Sequence, residues 1–308
     1  MARWTAADIP DQTGRTVLIT GANSGLGLRS AEGLAAKGAT VVMACRNAGK
    51  AAEARELVAA GATGPAPEVV PLDLSSLASV TDCAERLGGE LDHIDVLMNN
   101  AGIMAVPKSQ TVDGFESQIG TNHLGHFALT GRLLPLLLAG PASRVVTVAS
   151  NAHKFGRVHL DDLCFEREHY SRWRAYGQSK LANLLFSGEL QRRAVDAGTA
   201  LTAVAAHPGY AATNLTSGPA LGAAVLKPLL SVSDRLFGQS DDMGALPQLY
   251  AATMPDVLAD DYWGPDAFRE QRGYPTRVGR TARAMDHADA ARLWERSEEL
   301  TGVTYPWP

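Results

Sequence analysis

Short apolar segments rich in β-branched residues alternate along the chain with longer segments of helical periodicity. The longer ones include SGLGLRSAEGLAAKG and SSLASVTDCAERLGGEL, and the apolar ones are TVLIT (16–20), TVVMAC (40–45), EVVPLD (68–73), IDVLMNN (94–100), RVVTVAS (144–150) and LTAVAAHPG (201–209). Strands alternating with helices indicate βαβ units, and uninterrupted apolar strands are typical of parallel sheets buried on both faces. The pattern predicts an α/β fold with one doubly wound parallel sheet and helices on both faces.

No internal repeat or linker divides the sequence, so a single domain over residues 1–308 is expected. Residues 209–247 contain scattered Gly and Pro and are expected to form a substrate lid beyond the sheet. A lid over an apolar substrate is favoured for this region over contact with a lipid surface, and its apolar residues include Leu215, Leu221, Val225 and Leu226. A last helical pattern, DAARLWERSEELTG, follows near the end of the chain.

Composition narrows the classes of function. The formal net charge is -5, whereas a nucleic-acid binder usually carries a basic surface, so nucleic acid is not expected as a partner. The cysteines at 45, 83 and 164 have no CxxC spacing, which favours a reducing compartment. No apolar run resembles a signal peptide or reaches about 18 residues, so a cytoplasmic protein without a membrane span is expected.

The first predicted strand leads directly into TGANSGLG (20–27), with glycines at 21, 25 and 27 before a helix. Residues without a Cβ allow backbone N–H groups and the helix N-terminus to approach a pyrophosphate closely. The spacing is GxxxGxG rather than GxGxxG, but its position in the first βα unit indicates a dinucleotide site.

The second predicted strand ends in MACRN, without the carboxylate that usually binds the adenosine ribose of NAD. Arg46 follows this strand, and its guanidinium suits a 2'-phosphate. NADP(H) is therefore expected in preference to NAD(H). The alternative is that Arg46 is a surface residue at the start of the next helix.

Tyr176 precedes Lys180 by four residues in RAYGQSKLANLLF (174–186), at the start of a helical pattern. Residues i and i+4 lie on one face of a helix, so the ammonium can approach the phenol. A nearby cation favours the phenolate and would lower the tyrosine pKa from about 10. The alternative is a surface tyrosine beside a solvated lysine.

The motifs TGANSGLG, NNAG (99–102), Ser150, YGQSK (176–180) and HPG (207–209) occur in an order that resembles the short-chain dehydrogenase/reductase family over almost the whole chain. Segments such as TNHLGHF and HPGYAATNL look most like its retinol-dehydrogenase-like branch. The resemblance implies a Rossmann-type sheet and an NADP(H)-dependent oxidoreductase. Its substrates would be apolar alcohols and their aldehydes or ketones.

The resemblance also implies roles for individual residues. Asn122 would interrupt its helix and hold a water of the proton relay, Ser150 would bind the substrate oxygen, Tyr176 would be the acid/base, and Lys180 would bind the nicotinamide ribose. The implied cofactor-binding residues are Gly21, Asn23, Ser24, Gly25, Leu26, Gly27, Arg46, Asp73, Leu74, Asn100, Ala101, Gly102, Tyr176, Lys180, Pro208, Gly209 and Thr213. Other interpretations are a surface amide for Asn122, a strand-end cap for Ser150 and a helix N-cap for Asp73.

Residues 151–175 separate Ser150 from Tyr176 by more than in many relatives, and this segment could cover helix faces used for pairing. A homodimer is one expectation for the oligomeric state, and this segment argues against pairing through those helix faces. His153, His159 and His169 are expected to be loop histidines rather than metal ligands. A catalytically idle NADP(H)-binding sensor or scaffold is the alternative function, and a nucleotide-sugar epimerase is disfavoured by the short chain after Pro208. The substrate could be a retinoid, steroid, fatty aldehyde or quinone.

Overall fold

The structure, a computed structural model, describes residues 3–210 and 239–308. In these residues one sheet has the strand order β3-β2-β1-β4-β5-β6-β7-β8, in which only β8 is antiparallel to its neighbour. The strands are β1 (Thr16–Thr20), β2 (Thr40–Cys45), β3 (Glu68–Pro71), β4 (Val96–Asn99), β5 (Arg144–Val148), β6 (Thr202–Ala206), β7 (Tyr262–Ala267) and β8 (Arg272–Arg277). The predicted doubly wound sheet and its first six strands are confirmed.

Helices cover both faces of the sheet. They are α1 (Gly25–Ala35), α2 (Ala48–Gly61), α3 (Leu77–Glu90), α4 (Ser117–Ile119), α5 (Gly125–Arg132), α6 (Leu134–Ala139), α7 (Arg172–Asp196), α8 (Asp241–Thr253) and α9 (His287–Thr301). A π-helical turn, Gly120–Leu124, joins α4 to α5. One apolar cluster, including Val17 and Val41, packs against α1 and α8, whereas Leu18 and Val42 face a second cluster with α3, α5 and α7. The alternation follows from the two-residue period of a strand.

The second cluster is completed by residues near the end of the chain. The Trp294 ring, on α9, lies 5.0 Å from the Phe127 ring and stacks on Phe186 at 5.9 Å. Tyr305 packs 5.0 Å from Phe127, and its hydroxyl donates to the Phe127 carbonyl at 2.8 Å. These contacts cover the faces of α5 and α7 that point away from the sheet.

The hairpin of β7 and β8 was not predicted from the sequence. Its strands, YWGPDA and RGYPTR, contain glycine and proline, which usually indicate turns. Gly264 is required because a Cβ there would overlap the imidazole of His207. The turn has positive φ angles at Phe268, Arg269 and Glu270.

The predicted lid, residues 209–247, is only partly described. Residues 241–247 belong to α8, and Leu249 of this helix is buried in the core. Leu215, Leu221, Val225 and Leu226 lie outside the described residues. The backbone N–H of Gln239 donates to the Tyr210 carbonyl at 3.0 Å, so the two ends that flank residues 211–238 are joined.

Candidate active site

The candidate site lies at the carboxyl ends of the parallel strands, beside the contact of β1 with β4. The chain order of the strands reverses at this contact, and the crevice beside such a reversal is where open α/β sheets bind ligands. The predicted glycine turn, the NNAG segment, Ser150 and HPG all follow strands that end here. The topology therefore brings together motifs that are far apart in the sequence.

The glycine turn has the geometry of a phosphate cradle. Gly21 and Gly25 have φ angles of +68° and +54°, which favour glycine. A Cβ at Gly27 would overlap the Gly21 carbonyl and lie 2.6 Å from Asn100 Nδ2. Helix α1 begins at Gly25, and the side chain of its N-cap residue, Ser24, does not cap it within the described part of the chain. The first N–H groups of a helix have no partner within the helix, so this helix end fits a pyrophosphate.

Arg46 lies directly after β2, and its side chain is 71% exposed. Its Nη1 atom is 4.0 Å from Asp73 Oδ1, too far for a strong ion pair. Asp73 accepts hydrogen bonds from the backbone and hydroxyl of Ser75, at 3.0 and 2.7 Å, and thus closes a turn. The N-cap of α3 is instead Ser76, so the alternative that Asp73 caps this helix is wrong. Leu74 is buried in the core beneath this turn.

The segment from Asn100 to Gly102 is tied to the end of β1. Asn100 Nδ2 donates to the Thr20 carbonyl at 2.8 Å, so this side chain holds β4 against β1. A Cβ at Gly102 would lie 3.1 Å from Asn122 Oδ1 and 3.6 Å from Lys180 Nζ. Gly102 therefore leaves open a small space beside two residues that the sequence assigned to the reaction.

The Ser150 hydroxyl lies close enough to the Tyr176 hydroxyl to lower the tyrosine pKa. Ser150 also caps the turn that follows β5 by accepting from the Ala152 N–H at 3.2 Å, so the cap interpretation and the contact with Tyr176 both hold. Lys180 Nζ lies 5.9 Å from the centre of the Tyr176 ring and donates to the Val148 carbonyl at 2.9 Å. Both side chains are buried, which excludes the alternative of a surface tyrosine beside a solvated lysine.

Burial dominates the proton affinities of this pair. It raises the pKa of Tyr176, while the nearby Ser150 hydroxyl acts in the opposite direction. It also lowers the pKa of Lys180 to about 8. The expectation that Lys180 lowers the tyrosine pKa below its usual value is therefore not met, because removal of the phenolate from water raises this pKa. Tyr176 is protonated at neutral pH.

Asn122 lies in the π-helical turn, so the predicted interruption of its helix is confirmed. The residue is fully buried, which excludes a surface amide. Its Oδ1 accepts from the Ile103 N–H at 2.8 Å, and its Nδ2 donates to the Ile103 carbonyl and to Ser179 Oγ, both at 2.9 Å. Ser179 in turn donates to the Tyr176 carbonyl at 2.9 Å. Asn122 thus connects the segment after β4 to the helical turn that carries Tyr176.

Pro208 and Gly209 follow β6 at the same end of the sheet, and Gly209 has a φ angle of +69°. The Gly209 N–H donates to His207 Nδ1 at 3.2 Å, and the Pro208 carbonyl accepts from Gln239 Nε2. Thr213 lies outside the described residues. The structure therefore brings the described part of the predicted cofactor set to one edge of the sheet.

The three histidines between Ser150 and Tyr176 differ from one another. His153 is buried in the short turn that follows β5, and its Nδ1 lies 2.7 Å from the Ser150 carbonyl. His159 pairs with Glu168 at 2.8 Å, and His169 is exposed. Within residues 3–210 and 239–308 no group of three potential ligands could hold a metal ion.

Sequence reasoning missed a carboxylate beside the site. Glu270 lies on the β7–β8 turn, where its Oε2 is 3.5 Å from His207 Nε2 and 2.8 Å from Lys154 Nζ. These two neighbours lower the pKa of Glu270 to about 2, and His207 is the larger cause. The Glu270 carbonyl also accepts from Asn151 Nδ2 at 3.0 Å, so the hairpin is fastened to the residue after Ser150.

Sequence reasoning also missed Thr20 and His126, whose side chains meet behind the site at 2.9 Å. The only available signal was the position of His126 in TNHLGHF, four residues after Asn122 and hence one helical turn away.

Comparisons with known proteins agree with this geometry. The family model for short chain dehydrogenases matches residues 15–220. Retinol dehydrogenase 14 of Homo sapiens is 41% identical over 305 residues, which cover 94% of this chain and 87% of that protein. The solved structure of an uncharacterized protein from Mycobacterium Paratuberculosis has a TM-score of 0.83 at 48% identity and covers 99% of this chain and 100% of its own. The Pseudomonas aeruginosa RhlG/NADP active-site complex has a TM-score of 0.63 at 25% identity, covering 81% and 93%.

Across the residues that the structure describes, no helix has the length and apolarity to cross a membrane. The family match extends over more than half of the chain, and the human relative covers nearly all of it. The chain is therefore an oxidoreductase of the short-chain dehydrogenase family, homologous to the retinol dehydrogenases, and such enzymes bind a nicotinamide cofactor.

Proposed function

We propose that the protein is an NADP(H)-dependent oxidoreductase that interconverts an apolar alcohol and its aldehyde or ketone, with Tyr176 as the acid/base. The observation that carries this proposal is the buried Tyr176 phenol, which lies beside Ser150 and one helical turn from the buried Lys180. An idle sensor or scaffold would have no need to bury a lysine cation beside a phenol, because burial of a charge is costly.

When bound, the nicotinamide cofactor supplies or accepts the hydride. The chain's own residues handle the oxygen of the substrate. The hydroxyls of Ser150 and Tyr176 hold this oxygen, and Tyr176 donates a proton to it during reduction or removes one during oxidation. The Lys180 ammonium binds the ribose and offsets negative charge on the phenol. Asn122 holds the segment around Gly102 in place beside them.

The cofactor would be held along the edge of the sheet. The backbone of the glycine turn and the start of α1 bind the pyrophosphate, and Arg46 binds the 2'-phosphate that distinguishes NADP from NAD. The exposed, weakly paired Arg46 supports this choice because its guanidinium is available to an anion. The remaining residues of the expected cofactor set contribute contacts to the ribose, adenine and nicotinamide.

The proton affinities favour reduction at neutral pH. Because burial raises the pKa of Tyr176, the phenol carries its proton at pH 7 and is ready to act as an acid. Oxidation needs the phenolate, so its rate should increase with pH until another group loses its proton. The direction in a cell depends in addition on the ratio of oxidised to reduced cofactor.

Two exposed aromatic side chains beside the reacting groups support an apolar substrate. The Trp173 ring is 6.2 Å from the Tyr176 ring, and Trp173 is 54% exposed. Phe155, which is 56% exposed, follows the turn capped by Ser150. Exposed aromatic residues at a binding site provide apolar contact area. The related retinol dehydrogenases are named for a substrate of the same class.

The test is a panel of retinoid, steroid, aliphatic and quinone carbonyls, with NADPH consumption followed by absorbance. Tyr176→Phe keeps the buried ring but removes the hydroxyl, so we expect turnover to fall by about 100-fold to 10,000-fold while NADPH still binds. Tyr250→Phe is the matched control because its hydroxyl contacts Asp256, remote from Ser150. Near-normal turnover of Tyr176→Phe would refute the acid/base role. NADPH binding without wild-type turnover on any substrate would favour the idle sensor.

A further inference from the structure

The hydroxyl of Thr20, at the end of β1, makes an unusually complete set of contacts. Its Oγ1 accepts from the backbone N–H groups of Asn100 and Ala101, at 3.0 and 2.9 Å. A hydroxyl has two acceptor positions and one proton, so the two N–H groups use its acceptor capacity. The proton is left for His126 Nε2 at 2.9 Å or for the Met98 carbonyl at 3.3 Å, and the shorter distance favours the histidine.

The other ring nitrogen of His126 indicates the same direction for this hydrogen bond, from the Thr20 hydroxyl to Nε2. Nδ1 lies 3.0 Å from the Asn122 carbonyl, which can only accept, so Nδ1 must carry a proton. His126 is buried, and desolvation lowers its pKa to about 4, so the ring is neutral at physiological pH and has one N–H. Nε2 is then an acceptor for Thr20. Both ends of the ring thus agree on the Nδ1–H tautomer.

The ring connects the two halves of the site. On one side, Thr20 holds the Asn100 and Ala101 backbone, which begins the expected ribose-binding segment. On the other, Asn122 bonds to Ser179, and Ser179 bonds to the Tyr176 carbonyl. The continuous path therefore runs from the end of β1 to the turn of α7 that carries the phenol.

The π-helical turn explains why a side-chain donor is useful here. In this turn the Gly125 N–H bonds to the Gly120 carbonyl, five residues back rather than four. Such a turn shifts the backbone ladder and gives individual carbonyls new directions. His126 reaches back one turn to the Asn122 carbonyl and can hold it in one orientation.

We propose that His126 is a positioning residue for the reaction, which fixes Asn122 and, through Ser179, the backbone of Tyr176. The inference rests on the proposed function, since Tyr176 must be the acid/base for its position to affect the rate. The step that depends on His126 is proton transfer between Tyr176 and the substrate oxygen. His126 does not itself touch the substrate.

Three variants separate the two hydrogen bonds of the ring. His126→Leu removes both, His126→Asn keeps a short donor near the place of Nδ1, and His126→Gln keeps the reach towards Thr20. His123→Leu is a matched control, because His123 is equally buried three residues earlier but contacts Ser297 of α9 instead. Loss of packing should lower Tm in both leucine variants.

We expect His126→Leu to lower kcat by about 10-fold to 100-fold, because a small misplacement of reacting groups has an effect of this size. Here kcat is calculated per site that binds cofactor. Its solvent deuterium isotope effect on kcat should increase, because proton transfer becomes more limiting. His126→Asn should recover most of kcat, and His126→Gln much less. His123→Leu should keep the wild-type kcat and isotope effect. A purely structural His126 would lower Tm and the active fraction without changing either kinetic quantity per site.

A second measurement does not depend on turnover. In protein labelled with ¹⁵N-histidine, the resonances of His126 are identified as those that disappear in His126→Asn. At pH 7 they should show a protonated Nδ1 and an unprotonated Nε2. Thr20→Val should strongly shift the Nε2 resonance and leave the Nδ1 resonance nearly unchanged. An Nε2–H tautomer would overturn the proposal. So would a His126→Leu enzyme with wild-type kcat and isotope effect, even if Tyr176→Phe is inactive and the proposed function stands. A wild type without turnover would remove the proposed function and this role together.

Discussion

Replacement of Arg46 by aspartate should reverse the cofactor preference of the enzyme. In the wild type the guanidinium lies at the end of β2, 4.0 Å from Asp73, which is a weak contact. An exposed pair of this kind is worth at most about 1 kcal/mol, so the arginine can turn towards a phosphate at little cost. Arg46→Asp would place a second carboxylate beside Asp73, which repels a 2'-phosphate but can accept from the free 2'-hydroxyl of NAD.

The size of the effect follows from the exposure of the side chain. A hydrogen bond between charged groups contributes about 1.5 to 3 kcal/mol, or about 10-fold to 150-fold in affinity. Because the Arg46 side chain is 71% exposed, water and salt screen its charge. We therefore expect a wild-type preference for NADPH over NADH in the lower part of this range, about 10-fold to 30-fold, which decreases as salt is added.

The assay is a titration of both cofactors into each protein at low and high ionic strength. The ratio of the two dissociation constants is compared, so any change in folded fraction cancels. Arg46→Gln should bring the ratio close to one. Arg86→Asp makes the same change of charge on α3, where Arg86 pairs with Glu90, and should leave the ratio unchanged. Equal affinity of the wild type for both cofactors, or an Arg46→Asp variant that still prefers NADPH, would refute the assignment.

Three further predictions concern other residues. Because the pKa of Lys180 is lowered to about 8, NADPH affinity should fall as pH rises through about 8, and a titration that stays flat from pH 7 to 9 would contradict its role. Gly27→Ala should weaken NADPH binding and lower the free energy of unfolding by about 1 to 3 kcal/mol, since its Cβ would overlap the Gly21 carbonyl. Gly88 on α3 has open space for a Cβ, so denaturant unfolding of Gly88→Ala should give nearly the wild-type free energy. Glu270→Gln should cost about 0.5 to 1 kcal/mol of unfolding free energy at pH 7, because water screens this partly exposed carboxylate. This contribution is complete above the unfolded pKa of about 4.5 and is lost as pH falls through about 2, so melting curves of variant and wild type should converge there.

Local sequence patterns determine which parts of this fold could be predicted. The first six strands were found because each is a short β-branched run, and Tyr176 and Lys180 were found because four residues make one helical turn. Strands β7 and β8 were missed because they contain Gly and Pro, which usually indicate turns, and because the packing of Gly264 against His207 is a contact between distant residues.

Within the site, contacts between residues that are far apart in the sequence were missed for the same reason. The hydrogen bond between Thr20 and His126 joins residues 106 positions apart, and no repeat or spacing in the sequence predicts such a contact. The raised pKa of Tyr176 was likewise not predictable, since it depends on how deeply the assembled fold buries the phenol. The sequence identified the side chains of the site, but it did not show how far each one is removed from water.

The packing of Trp294 and Tyr305 has a consequence for the order in which the protein folds. Phe127 and Tyr305 are joined by a hydrogen bond across 178 residues, and the core around α5 is closed only by α9 and the residues after it. A growing chain must therefore carry the apolar faces of α5 and α7 uncovered until α9 has left the ribosome. During that interval chaperones have access to these faces, and any partial chain that stops before α9 should aggregate.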